Sequence, residues 1–367
     1  MNLSRRAFAR VVGAGAAAAV LPPLVSVKPL LAATPPASDI VRLSANENPY
    51  GPSAAAIEAM KAAFAKAWRY PDESQDELID TIAKSHSVSR DQVLLGDGSS
   101  EILKLAAVCY TGPSRKLVMA SPTFEAIGTY AKAAGAEVVN VPLDSAFAHD
   151  VAKMGSVSEA GLLYICNPNN PTGSITPKEA VRSLIAGVPA SIPILVDEAY
   201  FHYAVSGDYE SVLPAIASHP NLIVARTFSK IFGMAGLRCG YAISSRETIR
   251  TLGAQQAWDS MNVMALAAAQ ASMTDTHHVA EGHKRNAATK ASVVASLKKL
   301  GFEIIPSEAN FIMIDVRRDV RPLIGAMRTK GVHVGRLFPA LPQHMRVTIG
   351  RPDQMEAFVR AFSEVVA

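Results

Sequence analysis

Residues Ile194–Tyr203 read ILVDEAYFHY. The stretch opens on three branched apolar residues and stops at an acid, Asp197. A run that is apolar at every position fits a strand covered on both faces, as in a parallel sheet. Asp197 then stands at the end of a buried strand, where a carboxylate needs a donor. It is either a helix cap or the counter-ion of a bound cation.

The same kind of run recurs on both sides. Short apolar segments rich in β-branched residues lie at Val93–Leu95, Leu117–Ala120, Glu137–Val141, Leu162–Cys166, Leu222–Ala225 and Gly240–Ser244. Helical patterns fall between several of them, at Glu101–Tyr110, Phe124–Ala134 and Pro177–Ala186. Strand alternating with helix predicts an α/β fold on a mostly parallel sheet, with any ligand beyond the carboxyl ends of the strands. Upstream, 54–67 and 74–86 read as helices, the second capped by Asp72 or Ser74. After about residue 246 the rhythm changes. A long, broken helical region reaches Leu300, and Phe302–Ile305, Phe311–Asp315, Val332–Val334 and Met345–Thr348 read as strands, with helices near 319–330 and 352–366. The expected organisation is an N-terminal arm over 39–60, a large domain over 61–245 and a smaller α+β domain over 246–367.

Residues 1–38 differ from the rest. Arg5 and Arg6 stand in Ser-Arg-Arg-Ala-Phe, followed by the weakly apolar stretch Val11–Val25 and then prolines and small residues. That layout reads as a secretory signal of the twin-arginine type and predicts export to the periplasm; an uncleaved anchor or a cytoplasmic protein is the alternative. The segment holds Arg5, Arg6, Arg10 and Lys28 and no acid, so the remainder carries 32 basic against 32 acidic residues. The formal +4 of the whole chain therefore gives no argument for nucleic-acid binding. No apolar run beyond residue 40 is long enough to span a bilayer. With 367 residues, 49% of them hydrophobic, the chain can bury a full core. Cys109, Cys166 and Cys239 lie far apart in apolar contexts and read as small buried hydrophobes, and no metal-ligand spacing occurs.

Five stretches stand at or just past strand ends. GDGSSEIL (96–103) leads a strand into a helix whose first amides can hold a phosphate, or is an ordinary helix capped by Ser99 or Ser100. SPTFEAIG (121–128) offers Phe124, either a core residue or a platform for a flat ring. NPNNPTG (167–173) makes a rigid turn that aims the Asn170 amide at the same sheet edge. ILVDEAYFHY offers Asp197 and Tyr200. RTFSKIFGMAGLRCG (226–240) contains no acid, yet carries Lys230 and, eight positions later, Arg238, with Thr227 and Ser229 alongside. Buried cations need an anion. A lysine in a dry site has a lowered pKa and suits a Schiff-base nucleophile, and an arginine suits bidentate phosphate binding.

In this order, Gly-Ser-Ser-Glu, Asn-Pro-Asn-Asn-Pro-Thr-Gly, Asp-Glu-Ala-Tyr and Thr-Phe-Ser-Lys with its later arginine resemble the fold-type-I pyridoxal-phosphate aminotransferases. Leu43–Ser53 (LSANENPYGPS), Arg69–Asp72 (RYPD) and Met345–Gly350 (MRVTIG) resemble, more narrowly, the histidinol-phosphate aminotransferase group. The resemblance implies an aspartate-aminotransferase-like fold with a seven-stranded large-domain sheet, pyridoxal 5'-phosphate as cofactor and no metal. It implies that Lys230 bonds to the cofactor and moves the substrate's α-proton. Asp197 keeps the ring nitrogen protonated, Asn170 and Tyr200 bond the ring oxygen, and Phe124 stacks. Ser99, Ser100, Thr227, Ser229 and Arg238 hold the phosphate, joined by Tyr70 from a second subunit in a homodimer. Arg346 takes the substrate carboxylate, Asn48 lies on the covering arm, and Arg336 belongs to a segment near the substrate's distal end. The activity implied is transfer of an amino group from an amino acid, glutamate first, to an oxo acid or oxo phosphate. A decarboxylase or lyase of a phosphorylated amino acid is the alternative on the same scaffold. A dinucleotide enzyme is disfavoured, because no GxGxxG follows the first strand.

Overall fold

The structure, a computed structural model, describes residues 40–367; the expected export signal lies outside the described residues. After a two-residue strand β1 (Val41–Arg42), seven strands follow: β2 (Val93–Gly96), β3 (Lys116–Ser121), β4 (Val138–Pro142), β5 (Ala160–Cys166), β6 (Ile194–Asp197), β7 (Leu222–Thr227) and β8 (Gly240–Ile243). They form one sheet in the order β2–β8–β7–β6–β5–β3–β4. Neighbours from β7 to β4 pair in parallel, and β8 runs antiparallel to both β2 and β7.

The buried strands explain the sheet. All four residues of β6 are buried, as the unbroken apolar run predicts. Successive side chains point to opposite faces. Leu163, Ile165, Ile194 and Val196 enter one core, while Leu162, Tyr164, Cys166 and Leu195 enter the other. Helices α1 (Ala54–Ala63) and α2 (Asp72–His86) pack into the first core, and α3 (Ser99–Tyr110) and α4 (Ala126–Ala133) into the second. Cys166 and Cys239 are buried and Cys109 is half-buried, all unpaired thiols.

The later residues build a second, three-stranded antiparallel sheet in the order β12–β10–β9, from β9 (Glu303–Ile305), β10 (Phe311–Asp315) and β12 (His344–Thr348). Its core joins Ile312, Ile314, Met345 and Val347 to Met355, Phe358 and Phe362 of the C-terminal helix. By packing, Ile40–Ala367 form one unit. No described helix is long and apolar enough to cross a membrane.

Four local expectations are corrected. The predicted helix 54–67 stops at Ala63 and tightens into a 3₁₀ turn, Phe64–Lys66. Helix α2 begins at Asp72 behind Pro71, so neither Asp72 nor Ser74 is its cap. Helix α3 is capped by Gly98, which places Ser99 and Ser100 inside its first turn. The strand predicted at Val332–Val334 is β11 (Val332–His333), and it pairs in parallel with β1 rather than joining the small sheet. The arm is thus partly strand: its backbone found a partner some 290 residues away, which no local pattern records.

Candidate active site

The carboxyl ends of β2, β3, β5, β6 and β7 converge on one cavity of about 250 Å³. Ser99, Ser100, Phe124, Asn170, Asp197, Tyr200, Thr227, Ser229, Lys230 and Arg238 all line it. The reversed strand β8 is what adds Arg238. Because β8 runs the other way, its amino end, with Arg238 just before it, meets the carboxyl ends of its neighbours.

At one end lies an anion cup. The first amides of α3 have no partner within the helix and carry the positive end of its dipole. Two glycines let the elements close up. A Cβ on Gly98, at φ +72°, would meet the Arg238 guanidinium, and one on Gly240 would stand 2.4 Å from the Ser99 amide nitrogen. Arg238 itself adopts φ 58°. It donates to neutral oxygens, the carbonyls of Ala235 at 3.0 Å and Asp97 at 3.4 Å, and lies 3.5 Å from the Ser100 hydroxyl. Thr227 and Ser229 are buried beside it, their hydroxyls 2.9 Å apart. Arg226, the first cation of the same stretch, is different. It donates to buried Glu198 at 2.8 and 3.0 Å and stacks on Phe201. One cation of the stretch is thus structurally paired, and Arg238 faces the cavity.

At the other end sits Asp197. Its carboxylate accepts from the Tyr164 hydroxyl at 3.0 Å and the Ala199 amide at 3.1 Å. Burial raises its pKa to about 6, against the pull of those bonds. An ionised carboxylate in that place is best satisfied by a cation within the cavity. Between the two ends, Lys230 donates to the carbonyl of Asn46 at 3.4 Å. Desolvation, and then the charge of Arg346, lowers its pKa to about 8.

Arg346 stands on β12 behind Asn170. It donates to the Asn170 side-chain oxygen at 2.7 Å and to the Ser44 carbonyl at 2.9 Å, and its Nε is buried without a partner. That bond occupies the oxygen of Asn170, a residue of the cavity wall, and leaves its amide nitrogen for another partner. The turn carrying Asn170 is braced to the Phe124 loop, where Thr123 bonds Asn169 at 2.7 Å and Asn169 bonds the Pro122 carbonyl at 3.1 Å.

Four expected residues lie elsewhere, the first being Arg346, which opens onto a neighbouring cleft and not onto this cavity. Asn48 does not line the cavity; its amide grips the Ile231 carbonyl at 2.7 Å and so anchors the arm to the lysine loop. The arm residue that reaches the site is Asn46, two places earlier, which donates to the Tyr200 hydroxyl at 3.0 Å. Tyr70 is 79% exposed and touches none of the cavity. Arg336 opens onto a neighbouring cleft and pairs with Glu125 at 2.5 Å. The sequence reading missed two residues. Tyr164 had a signal, a phenol inside the apolar strand AGLLYIC. Asn46, a buried amide at φ 55°, had none that sets it apart from Asn48.

A dry amine, a sunken carboxylate and an anion cup suit one molecule with an aldehyde, a basic ring nitrogen and a phosphate. Pyridoxal 5'-phosphate meets all three demands, and these residues fit it. The protein is a pyridoxal-phosphate-dependent aminotransferase of fold type I. The chain belongs to the aminotransferase class I and II family, whose model matches residues 38–362. It is 36% identical to a histidinol-phosphate aminotransferase of Moorella thermoacetica, over 90% of this chain and 86% of that one. Among solved structures, the histidinol-phosphate aminotransferase of Sinorhizobium meliloti in complex with pyridoxal-5'-phosphate superposes with a TM-score of 0.82 at 26% identity, covering 89% of this chain and 90% of that one. The aspartate aminotransferase of Thermus thermophilus with maleate shares the fold, with a TM-score of 0.79 at 21% identity and coverage of 89% and 92%.

Proposed function

We propose that this enzyme takes its amino group from L-glutamate and delivers it to a small oxo acid or oxo phosphate, in the manner of its histidinol-phosphate aminotransferase relatives. The observation that carries the reading is Arg346. Its guanidinium is buried, its hydrogen-bond partners are neutral oxygens, and burial pushes its pKa down. A substrate carboxylate supplies the missing charge. Bound in the cavity, pyridoxal phosphate supplies the electron sink for the charge left when an α-proton departs. The chain's own residues do the rest. Asp197 would hold positive charge on the ring nitrogen, Asn170 and Tyr200 would orient the ring oxygen, and the α3 amides with Arg238 would grip the phosphate. The Lys230 amine, lowered toward neutrality, accepts and returns the proton.

We infer further that residues 1–38 export the chain by the twin-arginine route and that the working enzyme is a homodimer. The paired arginines and following apolar stretch support the first, and the exposed Tyr70 of RYPD supports the second. A protein that must acquire its cofactor before export suits a route that carries folded chains. Cell fractionation tests the location.

The test of activity is spectroscopic. The cofactor-loaded protein should lose the visible band of the lysine-bound cofactor on adding L-glutamate and regain it with a 2-oxo acid. A band that glutamate leaves unchanged would refute glutamate as donor, and phosphorylated amino acids would be tried next.

A further inference from the structure

A short chain of contacts runs from the cavity wall into the neighbouring cleft. Phe124 lines the cavity, and Glu125 follows it. The Glu125 carboxylate lies 2.5 Å from the Arg336 guanidinium. Arg336 stands 4.4 Å from the centre of the Phe338 ring, and Arg346 stands 5.0 Å from the same ring. Arg346 reaches back to Asn170 in the cavity wall. Arg336 and Arg346 also share a cleft of about 470 Å³ with Arg328 and His333, and no acid lines it. The Glu125 carboxylate therefore offsets positive charge at its edge.

The pair is open to water: the Glu125 and Arg336 side chains are 53% and 56% exposed. An ion pair so exposed is held weakly and can be exchanged for another anion. Arg336 and Arg346 flank one ring and line one cleft, so a two-ended ligand whose carboxylate took Arg346 would have Arg336 within reach of its other end. We propose that Glu125 sets the enzyme's preference for the charge of that far end. By neutralising Arg336 it competes with an anionic tail, and it leaves a neutral tail unaffected. Glu125 is a positioning residue here, acting through Arg336. The inference rests on the reading of Arg346 as the carboxylate site.

Two unreactive ligands of equal chain length test it, glutarate and pentanoate, which differ in the second carboxylate. Their affinities for the cofactor-loaded protein are measured by calorimetry, with amino transfer from L-glutamate assayed separately. Glu125→Gln should bind glutarate about two- to fivefold more tightly than the wild type and pentanoate equally well. The gain should shrink as salt is added. It should vanish when Arg336→Gln is combined with Glu125→Gln. An equal gain for both ligands, no gain, or a gain that survives in the double variant overturns the proposal. If the glutarate gain follows the expected pattern in a protein that accepts no amino group from L-glutamate, the proposal holds and the reading of glutamate as donor falls. If transfer proceeds and the gain is absent, the proposal alone falls.

Discussion

Lys230 shows how far a single side chain's chemistry depends on its surroundings. An ordinary lysine amine titrates at 10.5, and this one is lowered to about 8, by desolvation first and by Arg346 second. The sign is definite: the buried site disfavours the ammonium form, and the neutral amine is the nucleophile. Covalent capture of pyridoxal phosphate by the cofactor-free protein should therefore speed up as pH rises and level off above about 8. Arg346→Gln removes a repelling cation and should move that midpoint up. Asp197→Asn removes an attracting anion and should move it down. Capture rates followed by absorbance check all three, and a midpoint near 10.5 in the wild type would refute the desolvated amine. The same shift has a stability consequence. The unfolded chain holds this proton more tightly, so the cofactor-free fold gains stability as pH rises from about 8 to 10.5.

Among the elements, the arm carries the most information that local pattern hides. Residues 40–53 show no periodicity, yet β1 pairs with β11, and Leu43 packs into the smaller core. These two anchors fix Asn46, whose backbone amide bonds the Thr348 hydroxyl at 2.9 Å and whose carbonyl accepts from Asn310 at 3.1 Å. Asn46 and Asn48 read alike in the sequence ANEN but do different work. Asn46→Ala deletes a donor to the buried Tyr200 phenol and should destabilise the fold by about 1–2 kcal/mol. It should also shift the pH titration of the bound cofactor's absorbance, because Tyr200 loses a bond. Asn48→Ala frees the Ile231 carbonyl and should leave that titration in place. Thermal melts and pH titrations of the two variants separate the roles; a shift of equal size in both would refute the assignment.

For the whole molecule the decisive residues are the exposed ones. Phe64, Trp68 and Tyr70 form a short aromatic run at 65%, 75% and 79% exposure, which is costly for a surface that meets only water. The homodimer reading gives Tyr70 a destination in the second copy's phosphate cup. Under it, protein carrying Lys230→Ala and protein carrying Tyr70→Ala, each impaired alone, should regain intact sites when unfolded together and refolded. A mixture with no more activity than its parts would refute shared sites, and sedimentation gives the mass directly.

The course of the large sheet was legible because its strands are covered on both faces: burial demands apolar residues at every position, and ILVD, LIVART and AGLLYIC display them. The chemistry at the strand ends was legible for a related reason. A lysine, an aspartate and an arginine in apolar surroundings each need a partner, and together in this order they point to a site. The sequence by itself determined the fold class, the sheet's strands and ten of the residues that line the cavity. Tertiary structure decided what depends on distant partners. It paired Arg226 with Glu198 and left Arg238 to the cavity, chose Asn46 over Asn48, moved the helix cap to Gly98 and tied Glu125 to Arg336 across 211 positions. A hydrogen bond or an ion pair is specified by where two atoms meet, and only the folded chain says where that is.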